Sequence, residues 1–263
     1  MMRRRLLLGA PAALAALAGA GTAGAQSRAE RKGQQALRVG ADGSVQSLAN
    51  ALLRGFGAYS GLAARLDVAP SANLLEAIER GEIDAALTLA PDVEARLQKQ
   101  GLLHDRRSLG QLDLLLVGPT DAGIARGRDA AEALRRVAAS GMRFVGRNDG
   151  SGLHFAEQAL WRAAGVAPAA PWYLPADSAP LAQARVYRAC VLVEGSAWAP
   201  GPLRDRFGVL AEADPRLQAP VHVLRSFRAT HSAGKLFVAW ASGDAGRRVL
   251  AEQRVLRPSS AAR

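Results

Sequence analysis

Arg147-Asn148-Asp149-Gly150-Ser151-Gly152-Leu153-His154 is the stretch whose reading decides the fold. Upstream of it, Met142-Arg143-Phe144-Val145 is a short apolar run suited to a buried strand. Downstream, Phe155, Ala159, Leu160 and Ala163 recur at helical spacing. The stretch is therefore a strand-to-helix turn. Gly150 and Gly152 let the backbone approach another group closely, and a helix starting near Ser151 turns unpaired N–H groups and the positive end of its dipole into the turn. Ser151 can donate a hydroxyl proton, and Arg147 carries a permanent charge on a fork of donors suited to tetrahedral oxyanions. Two readings stay open on spacing alone. One is an anion cradle; the other is an ordinary helix cap by Asp149 or Ser151, with Arg147 paired to a surface carboxylate.

The same strand-turn-helix unit recurs along the chain. Leu37–Gly40 reads as a strand, Ala41-Asp42-Gly43-Ser44 as a turn, and Leu48, Leu52, Leu53 and Phe56 as one face of a helix ending near Gly61. Leu66–Val68 is a short strand, followed by a helix capped by Ser71 and stopped by Gly81. Ile83–Leu89 and Leu112–Val117 read as buried strands, Pro91–Leu97 and Ala130–Ala139 as helices. Prolines at 168, 171, 175 and 180 break regular structure around Trp172-Tyr173, and Val191–Val193, Phe207–Leu210 and Val221–Leu224 are strand-like. Two helices close the chain, from about Ser232 to Ser242 and on through Gln253. Alternating strands and helices imply an α/β fold with a parallel sheet covered on both faces. Pro/Gly breaks near 119 and 201–206 divide it into lobe 1, residues 37–118 and 208–253, and lobe 2, residues 119–207, with a tail over 254–263.

The first 25 residues, with Arg3-Arg4-Arg5, an Ala/Leu/Gly run and a final Ala23-Gly24-Ala25, read as a secretory signal cleaved near Ala25, by the Sec or the twin-arginine route. Residues 26–36 are a flexible leader. The expected address is periplasmic, and without a cysteine behind the signal the protein is expected to be free rather than lipid-anchored. Removing the signal takes away three arginines and no acid, lowering the formal charge from +11 to +8. Short, scattered Arg pairs and 5% aromatic residues do not make a stacking and phosphate-binding surface, so no nucleic-acid partner is expected. Cys190 is the single cysteine, which excludes an intrachain disulfide. His104, His154, His222 and His231 lack metal-ligand spacing, so neither a metal nor a cofactor is expected. Ser151 and His154 invite a hydrolase reading, but a nucleophile elbow needs glycine where Asp149 and Leu153 stand. The chain is expected not to be an enzyme.

From about Leu37 to Gln253 the order of features resembles the tungstate-binding proteins of bacterial tungstate ABC transporters. Arg147–His154 is similar to their Arg-Gly-Asp-Asp-Ser-Gly-Thr-His segment. Gly81-Glu-Ile-Asp-Ala85 before Ala90-Pro91, Leu115-Leu-Val-Gly-Pro119, Leu160-Trp161 before Ala164-Gly165, and Trp172-Tyr173 follow in the same order. The resemblance implies a two-lobed type II periplasmic binding-protein fold. It also implies a monomer holding tungstate or molybdate between its lobes for delivery to a membrane permease, with Arg147, Ser151, Ser44, Gly152, Gly150 and Asp42 at the ligand. Two segments depart from the pattern. A Thr-Thr-Thr-Ser run is replaced by Ala41-Asp42-Gly43-Ser44, and an Asp-Arg-Gly segment by Glu194-Gly195-Ser196. Asp42 and Glu194 could bring negative charge towards the cleft, which repels a dianion, so a changed ligand, an organic anion or a zwitterion, is the alternative.

Overall fold

The computed structural model describes residues 36–121, 123–198, 207–229 and 231–257. The expected signal, all of the leader but Ala36, and residues 258–263 of the tail lie outside them.

The first strand, β1 (Leu37–Ala41), pairs in parallel with β2 (Ala64–Val68) and β3 (Ala85–Thr88). Helix α1 (Gln46–Ser60) links β1 to β2, and α2 (Ser71–Arg80) links β2 to β3. Both stop where the sequence places glycine. Gly61 and Gly81 adopt φ of 70° and 73°, the left-handed conformation that lets a helix end and the chain turn back. After α3 (Pro91–Lys99) comes β4 (Leu103–Pro119), at 17 residues the longest strand among the described residues. Its first part, through Asp113, pairs antiparallel with β9 (Gln218–Ser226), which is wedged between β3 and β4. From Leu114 onward the same strand pairs antiparallel with β7 (Cys190–Glu194) and β8 (Phe207–Ala211).

Beyond β7, the strands β5 (Phe144–Arg147) and β6 (Tyr173–Ala176) continue the second half in parallel pairing. Helix α4 (Ala130–Ser140) leads into β5, α5 (Gly152–Ala164) joins β5 to β6, and α6 (Pro180–Tyr187) joins β6 to β7. The chain ends in α7 (Ala233–Ser242) and α8 (Asp244–Gln253), after which Arg257 bridges back to Gln111 of β4.

The α/β class holds, but the sheet is mixed rather than parallel. Among the described residues four strand pairs are antiparallel because β9 and the long β4 run against their neighbours. Three further elements correct the sequence reading: the proline-rich stretch contains β6 and α6, and β8, which follows the second proline break, pairs with the part of β4 that also pairs with β7. Pairing changes partner between Asp113 and Leu114, and again between Ala211 and Gln218.

One hydrophobic cluster runs through both halves. On one side Phe56 of α1 meets Phe237 and Trp240 of α7 edge to face, at 5.3 and 5.6 Å between ring centroids. On the other, Phe144 packs on Trp161 at 5.0 Å. Because the parallel strands of both halves end towards the turns that start helices, Asp42, Ser71, Leu89 and Gly152 are brought to one place. Such carboxyl-end crevices are where open α/β sheets take ligands.

Candidate functional site

Asp42 sits just past the end of β1 and is 1% exposed. One carboxylate oxygen, Oδ1, accepts from the Ser44 N–H at 3.2 Å and the Ser44 hydroxyl at 2.6 Å, capping the short 3₁₀ turn Gly43–Val45. The other, Oδ2, accepts from the Ser71 N–H at 2.9 Å, the Ser71 hydroxyl at 2.7 Å and the Gly152 N–H at 2.8 Å. Ser71 and Gly152 are the first residues of α2 and α5, so their N–H groups are among those a helix leaves without internal partners. Two helix N-termini, separated by 80 residues of sequence, thus converge on one carboxylate oxygen. Ser71 does not cap its own helix as the sequence suggested. Its hydroxyl instead donates to Asp42 and accepts from the Leu89 N–H at 3.2 Å, which fixes its orientation.

The Arg147–His154 turn is built as a rigid frame around this point. The Arg147 N–H donates to Glu157 Oε2 at 3.0 Å, and its guanidinium bonds Asp149 Oδ2 at 3.0 Å, while the Arg147 Nε is buried with no acceptor among the described residues. Asp149 Oδ1 accepts from the Ser151 N–H at 3.0 Å. Burial pushes the Asp149 carboxyl up, but the Ser151 hydrogen bonds and the Arg147 charge outweigh it and hold the group below its ordinary range. Ser151 is the N-cap of α5, its hydroxyl accepting from the His154 N–H at 3.3 Å. The His154 ring takes the Gly150 N–H on Nδ1 and faces Gln158 on Nε2, and burial lowers its pKa. The ring therefore does not hold the Ser151 hydroxyl.

Glycine is required here for approach to the chain itself. A Cβ on Gly152 would lie 2.4 Å from the Leu89 Cβ, and Gly150 has φ of 67° with the Ala72 Cβ 3.1 Å from where its own Cβ would be. The Gly150 carbonyl accepts from the Ala72 N–H at 3.0 Å, so this loop is sewn to the start of α2.

Of the six expected site residues, Asp42, Ser44 and Gly152 share one point. Arg147 is paired to Asp149 within its own turn and lines the cavity beside α5, whereas Ser151 and Gly150 organise the turn. Glu194, at the end of β7, completes the charge pattern: burial pushes its carboxyl up, the Arg147 charge opposes this and the Asp42 charge adds to it. Ser71 is the residue sequence reasoning passed over, although its place at a third strand-turn-helix junction was a usable signal. Behind the frame, Glu157 is 2% exposed, and burial raises its pKa to about 7 against the Arg147 N–H and a Tyr173 hydroxyl at 2.8 Å. Beside α5 a cavity of about 480 Å³ is lined by Arg147, His154, Gln158, Trp161 and Tyr173, among others. Among the described residues, no three His, Cys, Asp or Glu side chains group as metal ligands.

Residues 23–189 match the PBP superfamily domain. The chain belongs to the PBP superfamily. Within this superfamily it is similar to a putative ABC transporter anion-binding protein of Haloferax volcanii, 38% identical over 101 residues, which cover 38% of this chain and 30% of that one. It is also similar to the tungstate-binding protein TupA of Peptoclostridium acidaminophilum, 27% identical over 185 residues, 66% of this chain and 65% of that one. The matches thus span less than two thirds of either relative's length. The crystal structure of the tungstate ABC transporter from Geobacter sulfurreducens superposes with a TM-score of 0.70 at 25% identity, covering 83% of this chain and 98% of that one. The PBP superfamily is one of solute-binding proteins rather than enzymes.

Proposed function

We propose that this chain is an exported solute-binding protein that takes a tetrahedral oxyanion, tungstate or molybdate, between two lobes and presents it to the membrane permease of an ABC transporter. In this reading one lobe carries β1, β2, β3, β9 and the first part of β4, and the other carries β5 to β8 and the remainder of β4. The protein works as a periplasmic monomer. The ligand-binding groups are the N–H donors of Ser71 and Gly152, the hydroxyls of Ser44 and Ser71, and the guanidinium of Arg147. Gly150, Ser151 and Asp42 complete the site.

The observation that carries this reading is the convergence of the α2 and α5 N-termini on a single anionic oxygen. Helix N-termini supply unpaired donors and a favourable dipole field for anions, and Arg147 Nε remains a buried donor in need of an acceptor. The names of the similar proteins support the same ligand class.

The second reading, an organic anion or a zwitterion, is favoured by the inward position of Asp42 and the nearness of Glu194 to both Asp42 and Arg147. Asp42 already accepts five hydrogen bonds, which leaves it no lone pair for an incoming ammonium. In that reading Glu194 takes the cation.

Titration calorimetry with tungstate, molybdate, sulfate, phosphate and amino acids separates the two. Tungstate or molybdate binding is expected, and Arg147→Ala should weaken it by about tenfold to a hundredfold or more, the ~1.5–3 kcal/mol of a charged hydrogen bond. Binding of an amino acid and of no oxyanion would replace the first reading with the second.

A further inference from the structure

We infer that Asp42 is the cradle's resident anion: a tethered carboxylate that occupies the oxyanion position, joins the N-termini of α2 and α5, and sets a threshold that an incoming anion must exceed to displace it. This rests on the reading of the cradle as an anion site.

The case starts from the contacts. A carboxylate has room for about four hydrogen bonds on its two oxygens, and Asp42 accepts five. A role confined to capping the 3₁₀ turn accounts for the two Ser44 bonds alone. The three on Oδ2 come from residues 29 and 110 positions away, and all five donors are neutral. Among the described residues no lysine, arginine or histidine forms an ion pair with Asp42. A buried charge held by main-chain N–H groups, hydroxyls and helix dipoles, without a counter-ion, is coordinated as a free oxyanion would be.

The placement also decides which anions can enter. A group attached to the same chain competes at a high effective concentration, millimolar or more, so a displacing ligand must gain more from the cradle than one carboxylate does. A dianion with four oxygens can do so through its second charge and its additional acceptor oxygens in the field of the two helix N-termini. A monoanion such as formate offers what Asp42 already supplies. Asp42 is therefore a specificity-determining residue that excludes monoanions and weakens, without abolishing, the binding of dianions.

Replacing the side chain tests this directly. In Asp42→Ala the donors remain and the carboxylate is gone, so sodium formate should raise the melting temperature of the variant and leave the wild-type chain unmoved. Sodium chloride at equal ionic strength serves as control. Molybdate should bind the variant at least tenfold more tightly than wild type, and the formate effect should shrink in Asp42→Ala/Ser71→Ala, which lacks one donor. If Asp42→Ala folds only in the presence of formate or molybdate, that dependence supports the inference. If it folds under no condition, Asp42→Thr is read in the same way. A folded variant indifferent to formate and molybdate would overturn the inference. Equal molybdate affinity in wild type and variant would overturn it too while leaving the transport reading in place. Formate rescue with no binding of tungstate or molybdate to either protein would keep Asp42 as resident anion and remove the transport reading.

Discussion

Two buried carboxylates in the first half of the molecule, Asp42 with five hydrogen bonds and Glu94 with four polar partners, differ in what supplies them. Glu94, 0% exposed, accepts from the Thr88 hydroxyl at 2.7 Å, the Ala90 N–H at 2.9 Å and the Arg106 Nε at 2.8 Å, and stands 2.7 Å from His222 Nδ1. All of these partners lie in β3, β4, β9 or the turn into α3. Asp42 has neutral donors only, drawn from both halves. A carboxylate with its own counter-ion inside one rigid unit is a structural fastening. One held by neutral donors from both halves is, on the inference above, exchangeable, because two of the donors are helix N-terminal N–H groups that do not depend on it. The Glu94 carboxyl is pushed up by burial, yet His222, Arg106 and Thr88 together hold it below its ordinary range.

The largest effect expected is at Glu94. Glu94→Ala leaves Arg106 and His222 without their shared acceptor, and removing one partner of a buried pair costs about 3–5 kcal/mol. Arg106 is 21% exposed and can turn into water, so the gap collapses and formate should not restore stability in urea denaturation. Equal rescue by formate at Glu94→Ala and Asp42→Ala would erase the distinction.

Glu157 offers an intermediate case, a buried carboxylate held by neutral donors within the second half. Its folded pKa of about 7 lies above the unfolded value near 4.5, so the folded state holds the proton more tightly. Its contribution to stability is complete below about pH 4.5 and is lost as pH rises through about 7. Glu157→Gln, whose amide can accept from the Arg147 N–H and donate to the Tyr173 hydroxyl, should remove that slope. At 1.36 kcal/mol per pKa unit it should be more stable than wild type by up to about 3 kcal/mol at pH 8. Parallel stability profiles of variant and wild type between pH 5 and 8 would show that the proton is not held.

The smallest effect belongs to Ser151, which caps α5 and makes no bond to Asp42. Ser151→Ala should cost about 1 kcal/mol in urea denaturation. In the Asp42→Ala background it should leave the formate response unchanged, and loss of that response would move Ser151 from the frame into the cradle.

Much of this was readable in the chain. The helix stops read at Gly61 and Gly81 are both left-handed in the structure, a conformation glycine reaches without strain, whereas the left-handed ends at Arg188 and Arg254 gave no such signal. The first part of β4 was not readable. His104-Asp105-Arg106-Arg107-Ser108 has a loop's polarity, and it becomes strand because Asp105 meets Arg225 of the neighbouring β9 and Arg106 meets Glu94 of α3. Prolines concealed β6 and α6 for a related reason. Pro175 sits in the outermost strand of its side, where a missing N–H is tolerated, and Pro180 opens its helix, where the N–H has no partner to lose. At the cradle, Asp42, Ser44 and Gly152 were visible as turn residues at strand ends, whereas Ser71 becomes a partner of Asp42 only when β1 and β2 lie side by side.

The position of β9 bears on how the chain is made. It is inserted between β3 and β4, so the edges of both stay unpaired until residues 218–226 exist, more than a hundred positions after β3 has been synthesised. The sheet of the first half is thus completed only by a pairing across more than a hundred residues, a high-contact-order arrangement that slows its folding.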